Sequence, residues 1–240
     1  MKTFILILSV VTLASASCCN YSSTSTSLKN DTDTASFYIG YSFGMQFRNS
    51  AIDEPNLAAV VAGMNLALQK KELPADQQEV GMYINKFVEK QFAEKSEKSK
   101  KKGEEFLAKN GKKEGIVTTE SGLQYKVETA GEGPVPALGD MVKVHYKGTF
   151  LDGTEFDSSI KRGEPFQFKA GSGVIKGWSE AIQLMPVGSK WTLYIPSDLA
   201  YGPQGYYGGI GPNETLIFEV ELLEIVPEEE TSAGEHNHAH

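Results

Sequence analysis

Hydrophobic positions follow a helical period in the first half of this chain and a strand period in the second. From Thr34 the apolar residues recur three and four apart: Phe37, Tyr41, Gly44 and Met45, with Ile39 and Phe43 beside them. That spacing predicts a helix. Asp53-Glu54-Pro55 opens a second helix, with acids and proline in the first turn as the helix dipole and proline geometry prefer. Its apolar face holds Leu57, Val60, Val61, Met64 and Leu68. A third segment starts at Leu73-Pro74-Ala75-Asp76 and carries Val80, Tyr83, Ile84, Phe87, Val88 and Phe92. Beyond Phe92 it turns highly charged, with no breaker stronger than Gly103 before Asn110-Gly111. Read as one helix from Ala75 to Asn110, it spans ~54 Å at ~1.5 Å per residue.

From Gly122 the period falls to two. Gly122 to Val127 alternates as a strand, and Gly131 to Gly139 is a Gly/Pro-rich turn. Val142, Val144 and Tyr146 then alternate with Lys143, His145 and Lys147, the pattern of a half-buried strand that points His145 outward. Leu151-Asp152-Gly153-Thr154 is a hairpin turn, and Phe156-Asp157 begins the next extended piece. Val174, Trp178, Ala181 and Met185, with Ile175 and Ile182, share one helical face, which predicts a short helix packing its Trp into a sheet. Trp191 to Ile195 and Leu216 to Ile225 supply further strands. Between them, Tyr201 to Glu214 holds five glycines and two prolines, a long loop of the kind that binds something or is disordered. The expected class is α+β: an all-α region over 34–115 ending in a long connecting helix, then an antiparallel sheet around a short helix over 116–227.

Composition narrows the partners. At 240 residues the chain holds one or two domains, and 40% hydrophobic residues with 24 glycines suit a globular chain rich in turns. A net charge of −8 and a pI near 5.1 argue against nucleic acid or an anionic membrane surface as the main partner. The Lys98 to Lys102 cluster is interleaved with Glu94, Glu97, Glu104 and Glu105 and reads as a solvated helix face. Cys18 and Cys19 are adjacent and cannot staple the body of the fold, so stability rests on packed cores.

The ends of the chain have their own logic. Met1-Lys2, the apolar run Phe4 to Ala14 and the small residues Ser15-Ala16-Ser17 form a secretory signal peptide over 1–17, too short for a membrane span. Small residues ending at a cysteine resemble a bacterial lipobox, with Cys18, or else Cys19, as the lipidated first residue. Ordinary cleavage nearby, leaving a soluble periplasmic protein, is the alternative. Residues 18–33 read as a flexible tether. The tail over 228–240 is acidic and then carries His236, His238 and His240; it reads as disordered and solvated, with metal binding by the alternating histidines as the alternative.

The candidate chemistry lies between Val142 and Phe218. Rings and branched apolar residues gather there around one Asp, with no nucleophile–base pair, which describes a dry binding pocket and not a hydrolytic site. Singly, Phe156, Phe166, Val174 and Phe218 read as core, and Asp157 as a turn or cap residue. In order, however, the chain reads V-H-Y-K-G-T-F-x-D-G-x-x-F-D-S-S, then P-F-x-F, V-I-K-G-W, A-Y-G and T-L-I-F-E-V-E-L-L. From about Gly122 to Ile225 it resembles the FKBP-type peptidyl-prolyl cis-trans isomerases. The preceding region is similar to the helical dimerisation domain of the Mip and FkpA group of bacterial envelope isomerases.

The resemblance implies an FKBP-like sheet and catalysed rotation about X-Pro bonds in folding envelope or secreted proteins. That rotation takes tens to hundreds of seconds unaided because amide resonance stiffens the C–N bond. No bond forms or breaks, so no cofactor or metal is implied. By the same resemblance Tyr146, Phe156, Phe166, Val174, Ile175, Trp178, Ile210 and Phe218 line the pocket, with Trp178 beneath the proline ring. Asp157 is its polar wall, held by Tyr146 and Arg162, while the Tyr201 hydroxyl and the Ile175 N–H bond substrate carbonyls. Tyr206 departs from the pattern, standing where many relatives carry a His, and this puts substrate preference and affinity for macrolide inhibitors, the candidate ligands, in doubt. Expected partners are unfolded or proline-containing polypeptides, a second copy through residues 34–95, and a membrane through a lipid anchor. The outer membrane, facing the periplasm, is the expected location. The polar half of the long helix is then an exposed arm carrying the isomerase domain. A dimeric chaperone with little catalysis is the alternative function.

Overall fold

Polar caps set the starts of the N-terminal helices. In the first, α1 (Asp31–Arg48), the Asn30 side chain accepts from the Asp33 N–H at 2.9 Å, with Asp31 and Asp33 in the first turn. It begins inside the stretch expected to be tether. In α2 (Leu57–Leu68) Asn56 accepts from the Ala59 N–H at 3.1 Å, and in α3 (Gln77–Asn110) Asp76 accepts from the Gln78 N–H at 3.1 Å. The computed structural model describes residues 27–48, 52, 54–72, 75–206 and 209–227. The expected signal peptide, Cys18 and Cys19, most of the tether, the tail with His236, His238 and His240, and Asp53, Leu73 and Pro74 lie outside the described residues. No described helix is long and apolar enough to cross a membrane.

The chain divides into two compact units at Phe43–Gly44. Within the second, part of α3 packs on the sheet domain. Its charged half is not an exposed arm along its whole circumference: Ser99, Gly103 and Asn110 are buried. Asn110 Nδ2 donates to Gln124 Oε1 at 3.0 Å, Gln124 Nε2 donates to the Leu107 carbonyl at 2.9 Å, and Phe106 packs 5.8 Å from the Tyr194 ring. A stripe of small and polar side chains, with Phe106, docks this half of the helix while most of its lysines and glutamates stay in water.

The second half of the chain forms one antiparallel sheet. Its strands are β1 (Ile116–Thr118), β2 (Gln124–Thr129), β3 (Met141–Phe150), β4 (Glu155–Ser158), β5 (Phe166–Lys169), β6 (Lys190–Ile195) and β7 (Leu216–Val226). The order is β1-β2-β6-β7-β3-β4, with β5 also paired to β3. The β3–β4 turn forms as its sequence predicts: Gly153 takes φ 85° and Asp152 Oδ1 accepts from the Thr154 N–H at 2.9 Å. Two short helices complete the domain, α4 (Ser159–Arg162) and α5 (Lys176–Ile182). The class is the expected α+β, a helical N-terminal region followed by a sheet around a short helix.

One element is shorter than its periodicity predicts. Val174 precedes α5, Ile175 caps it, and Met185 lies beyond its end. Leu184 and Met185 close the last turn with bonds to the Ala181 and Ile182 carbonyls, and Pro186 stops the helix. Met185 is nonetheless fully buried, because that last turn keeps it on the same face. The core lies between this face of α5 and one face of the sheet, where Val142, Val144, Ile182, Leu193, Ile195, Leu216, Val220 and Leu222 are solvent-free. Strict alternation along β6 directs Trp191, Leu193 and Ile195 inward. Leu193→Ala leaves a cavity at the centre of this layer and is expected to lower unfolding free energy by about 2–5 kcal/mol, measured by urea denaturation.

Candidate functional site

The pocket rings come from strands that are neighbours in register. Tyr146 on β3 faces Val220, and two residues on Gly148 faces Phe218 of β7. Glycine is required at that position: a Cβ on Gly148 would lie 2.7 Å from Phe156 Cζ and 2.8 Å from Phe218 Cε1. The alternation of β3 and β7 presents Tyr146 and Phe218 to Trp178, which α5 inserts from the other side. The Tyr146 and Trp178 centroids are 5.0 Å apart at 87°, and the Trp178 and Phe218 centroids 5.3 Å apart at 83°. Both are edge-to-face arrangements that the ring quadrupoles favour. Phe156 stands edge-on to Phe218 at 5.5 Å, and Phe166 lies 5.9 Å from Tyr146 and 6.4 Å from Trp178. Trp178 is 4% exposed, and its indole N–H is buried without an acceptor.

A charged triad closes one side. Tyr146 donates its hydroxyl to Asp157 Oδ2, Arg162 Nη1 pairs with Asp157 Oδ1, and Arg162 Nη2 donates to the Tyr146 oxygen at 2.8 Å. The guanidinium carbon also stands 5.4 Å from the centroid of the Tyr146 ring. Local geometry delivers this arginine. Ser158 caps α4 through its hydroxyl, and Gly163 at φ 82° ends the helix immediately after Arg162. Burial, and then the bond to Asp157, hold the Tyr146 hydroxyl above the usual tyrosine range. Tyr201 is likewise raised, first by burial and then by Tyr206 and Asp157.

Most of the remaining expected residues lie around these rings. Val174, Ile175 and Tyr201 are half-buried against the cluster, and Ile210 is buried within it. Ile175 caps α5 with no side-chain bond. Tyr206 is exposed on the rim, with its ring 4.9 Å from that of Tyr201; Tyr207 and Gly208 lie outside the described residues. His145 sits on the outward side of β3, yet its Nδ1 is 3.1 Å from the buried Ser159 hydroxyl. That serine also accepts from the Tyr146 N–H at 2.8 Å, so it braces the strand beside the triad. Sequence reasoning missed Ser159 and Gly148; the D-S-S run and a glycine at the next inward position of β3 after Val142, Val144 and Tyr146 were their signals. Among the described residues no cluster of His, Cys, Asp or Glu is placed to hold a metal ion. A cluster of rings with one hydroxyl and one paired carboxylate at its margin offers an apolar, water-poor surface to an apolar group.

Comparison with known proteins agrees with this geometry. Residues 133–223 match the family described as FKBP-type peptidyl-prolyl cis-trans isomerase, and residues 32–127 match the domain amino terminal to it. The chain is 44% identical over 208 residues to the outer membrane protein MIP of Legionella longbeachae, covering 83% of this chain and 88% of that protein. It is 46% identical over 195 residues to the FKBP-type 22 kDa peptidyl-prolyl cis-trans isomerase of Escherichia coli K12, covering 80% and 94%. The crystal structure of FkpA from Escherichia coli superposes with a TM-score of 0.61 at 35% identity, covering 83% of this chain and 98% of that one. Likeness of this extent, running through both the helical region and the sheet, makes the chain a member of the FKBP-type peptidyl-prolyl cis-trans isomerase family.

Proposed function

We propose that the Tyr146–Trp178–Phe218 hollow is where this isomerase turns the X-Pro bond, and that it works by desolvation. A planar amide is charge-separated and well hydrated; at the perpendicular geometry its carbonyl is less polar and its nitrogen pyramidal. Walls that exclude water therefore raise the planar form relative to the twisted one. Trp178 forms the floor beneath the proline ring, with Phe156, Phe166, Val174, Ile210 and Phe218 as walls. Tyr201 and the Ile175 N–H hold substrate carbonyls, and Asp157, neutralised by Arg162, presents a fixed dipole at the margin. The observation that supports this best is the edge-to-face contact of Trp178 with both Tyr146 and Phe218 beside a triad whose charge is already satisfied.

A second copy of the chain is the partner that the N-terminal region best fits. None of α2 is buried, although Leu57, Val61, Met64 and Leu68 line it. Phe37, Tyr41 and Phe43 on α1, and Tyr83, Ile84 and Phe87 on α3, are exposed as well. Helix-interior glycines cost stability, yet Gly40, Gly44, Gly63 and Gly81 have no neighbour within 4 Å, as expected of positions kept small for a closely approaching helix. Dimerisation through residues 34–95, lipidation at Cys18, an outer-membrane, periplasm-facing location and binding of macrolides belong to the same reading. The location is supported by the likeness to the outer membrane protein MIP of Legionella longbeachae.

Three outcomes test this reading. In proline-limited refolding of a client, Trp178→Ala and Asp157→Ala are each expected to lower kcat/KM by at least ~10-fold; equal rates in all three proteins refute the pocket. Val61→Glu with Met64→Glu is expected to convert a dimer to a monomer in analytical ultracentrifugation. The third concerns pH. Tyrosine is neutral when protonated, so a folded-state value raised above the ordinary 10.0 gives a contribution fully present below it and lost as pH rises through the folded value. Isomerase activity should stay level from neutrality to about pH 10 and fall only beyond it; loss near pH ~8 in a still-folded protein contradicts the role of the Tyr146 hydroxyl.

A further inference from the structure

The docked stripe of α3 ends on the loop that overhangs the pocket. Ser96, Ser99, Gly103, Phe106 and Asn110 recur three and four apart, and the first three meet consecutive residues of the chain. Asn213 Nδ2 donates to Ser96 Oγ at 2.8 Å, and Ser99 Oγ donates to Glu214 Oε1 at 2.8 Å. Gly103 lies so close to Thr215 Oγ1 that a Cβ has no room. Thr215 is itself buried, and β7 starts at the next residue, two before Phe218.

Asn213 is the clasp of the loop. Its backbone N–H donates to the Gly202 carbonyl at 2.9 Å, tying the two ends together. Its φ of 53° lies in the left-handed region, which asparagine tolerates better than most residues. Its Oδ1 accepts from Ser197 Oγ at 3.5 Å, and its Nδ2 reaches the helix. Inside the clasp the loop is folded on itself, with paired bonds between Tyr206 and Ile210 at 2.8 and 3.2 Å. Ile210 anchors it in the core, and Tyr206 lies against Tyr201 at the rim.

We infer that α3 positions this loop for substrate: Ser96 and Ser99 act through Asn213 and Glu214 as positioning residues of the isomerase. The inference rests on the pocket reading given under Proposed function. With Ile210 held in the core, what loosening moves is the exposed Tyr206 rim, which touches the chain flanking the proline, and those contacts are the same in the planar and twisted states. Loosening it weakens binding of both equally, which raises KM and leaves kcat alone. A helix that merely stabilised the domain would change neither in the folded enzyme.

The test is steady-state kinetics on a proline tetrapeptide with the full chain. Ser96→Ala with Ser99→Ala keeps the helix, alanine being the better helix former. The expected result is a KM raised about fivefold with kcat within about twofold of wild type. Gly103→Ala, which forces α3 off Thr215, should raise KM in the same way. Ser96→Thr, which retains the hydroxyl, and Lys101→Ala on the opposite face should keep the wild-type KM. An unchanged KM in the double variant, in an assay where Trp178→Ala abolishes turnover, overturns the coupling alone; so does a fall in kcat with KM unmoved. Wild-type turnover by Trp178→Ala overturns the pocket reading and the coupling with it.

Discussion

Trp178 meets both Tyr146 and Phe218 edge to face where two central strands and one short helix converge, and the ring cluster depends on that contact. Aromatic rings offer large apolar surface at fixed orientation, so they can wall a hollow without closing it. The room for them comes from Gly148, whose missing side chain lets Phe156 and Phe218 approach across β3. Pocket and core are continuous here: Trp178 belongs to the same buried cluster as Leu193 and Val220. The walls thus take their rigidity from the packing that folds the domain.

The one carboxylate near the rings is kept from acting as a free charge. Asp157 takes both a hydroxyl from Tyr146 and a guanidinium from Arg162, and the arginine also bonds that hydroxyl. Pairing of this kind fixes a dipole at the margin of the hollow while sparing the cost of an isolated ion beside apolar walls. Burial raises Tyr146 and so keeps its proton in place across ordinary pH.

Much of this was legible in the sequence because the relevant signals are local. The alternation of Val142, Val144 and Tyr146, the Asp152-Gly153 turn and the helical spacing of Trp178, Ala181 and Ile182 each reflect the element they form. The convergence of rings from β3, β4, β5, α5 and β7 was carried by motif resemblance, since no local rule places Phe218 against Trp178. Docking of the second half of α3 was hidden for a definite reason. Apart from Phe106 its stripe is made of Ser96, Ser99, Gly103 and Asn110, which bond and nest without being apolar, so the hydrophobic period fades after Phe92 although the buried face continues. Ser159 was hidden likewise, as a small hydroxyl whose partner is a strand N–H thirteen residues away.

A catalyst that acts by removing water and holding a twisted amide transfers no proton in its rate-limiting step. A catalyst that used the Tyr146 hydroxyl or the Asp157 carboxyl to protonate the proline nitrogen would transfer one. The solvent deuterium isotope effect on kcat/KM for a proline peptide distinguishes the two. Desolvation by the ring-lined hollow predicts a value near unity; a normal effect of about two or more would contradict it.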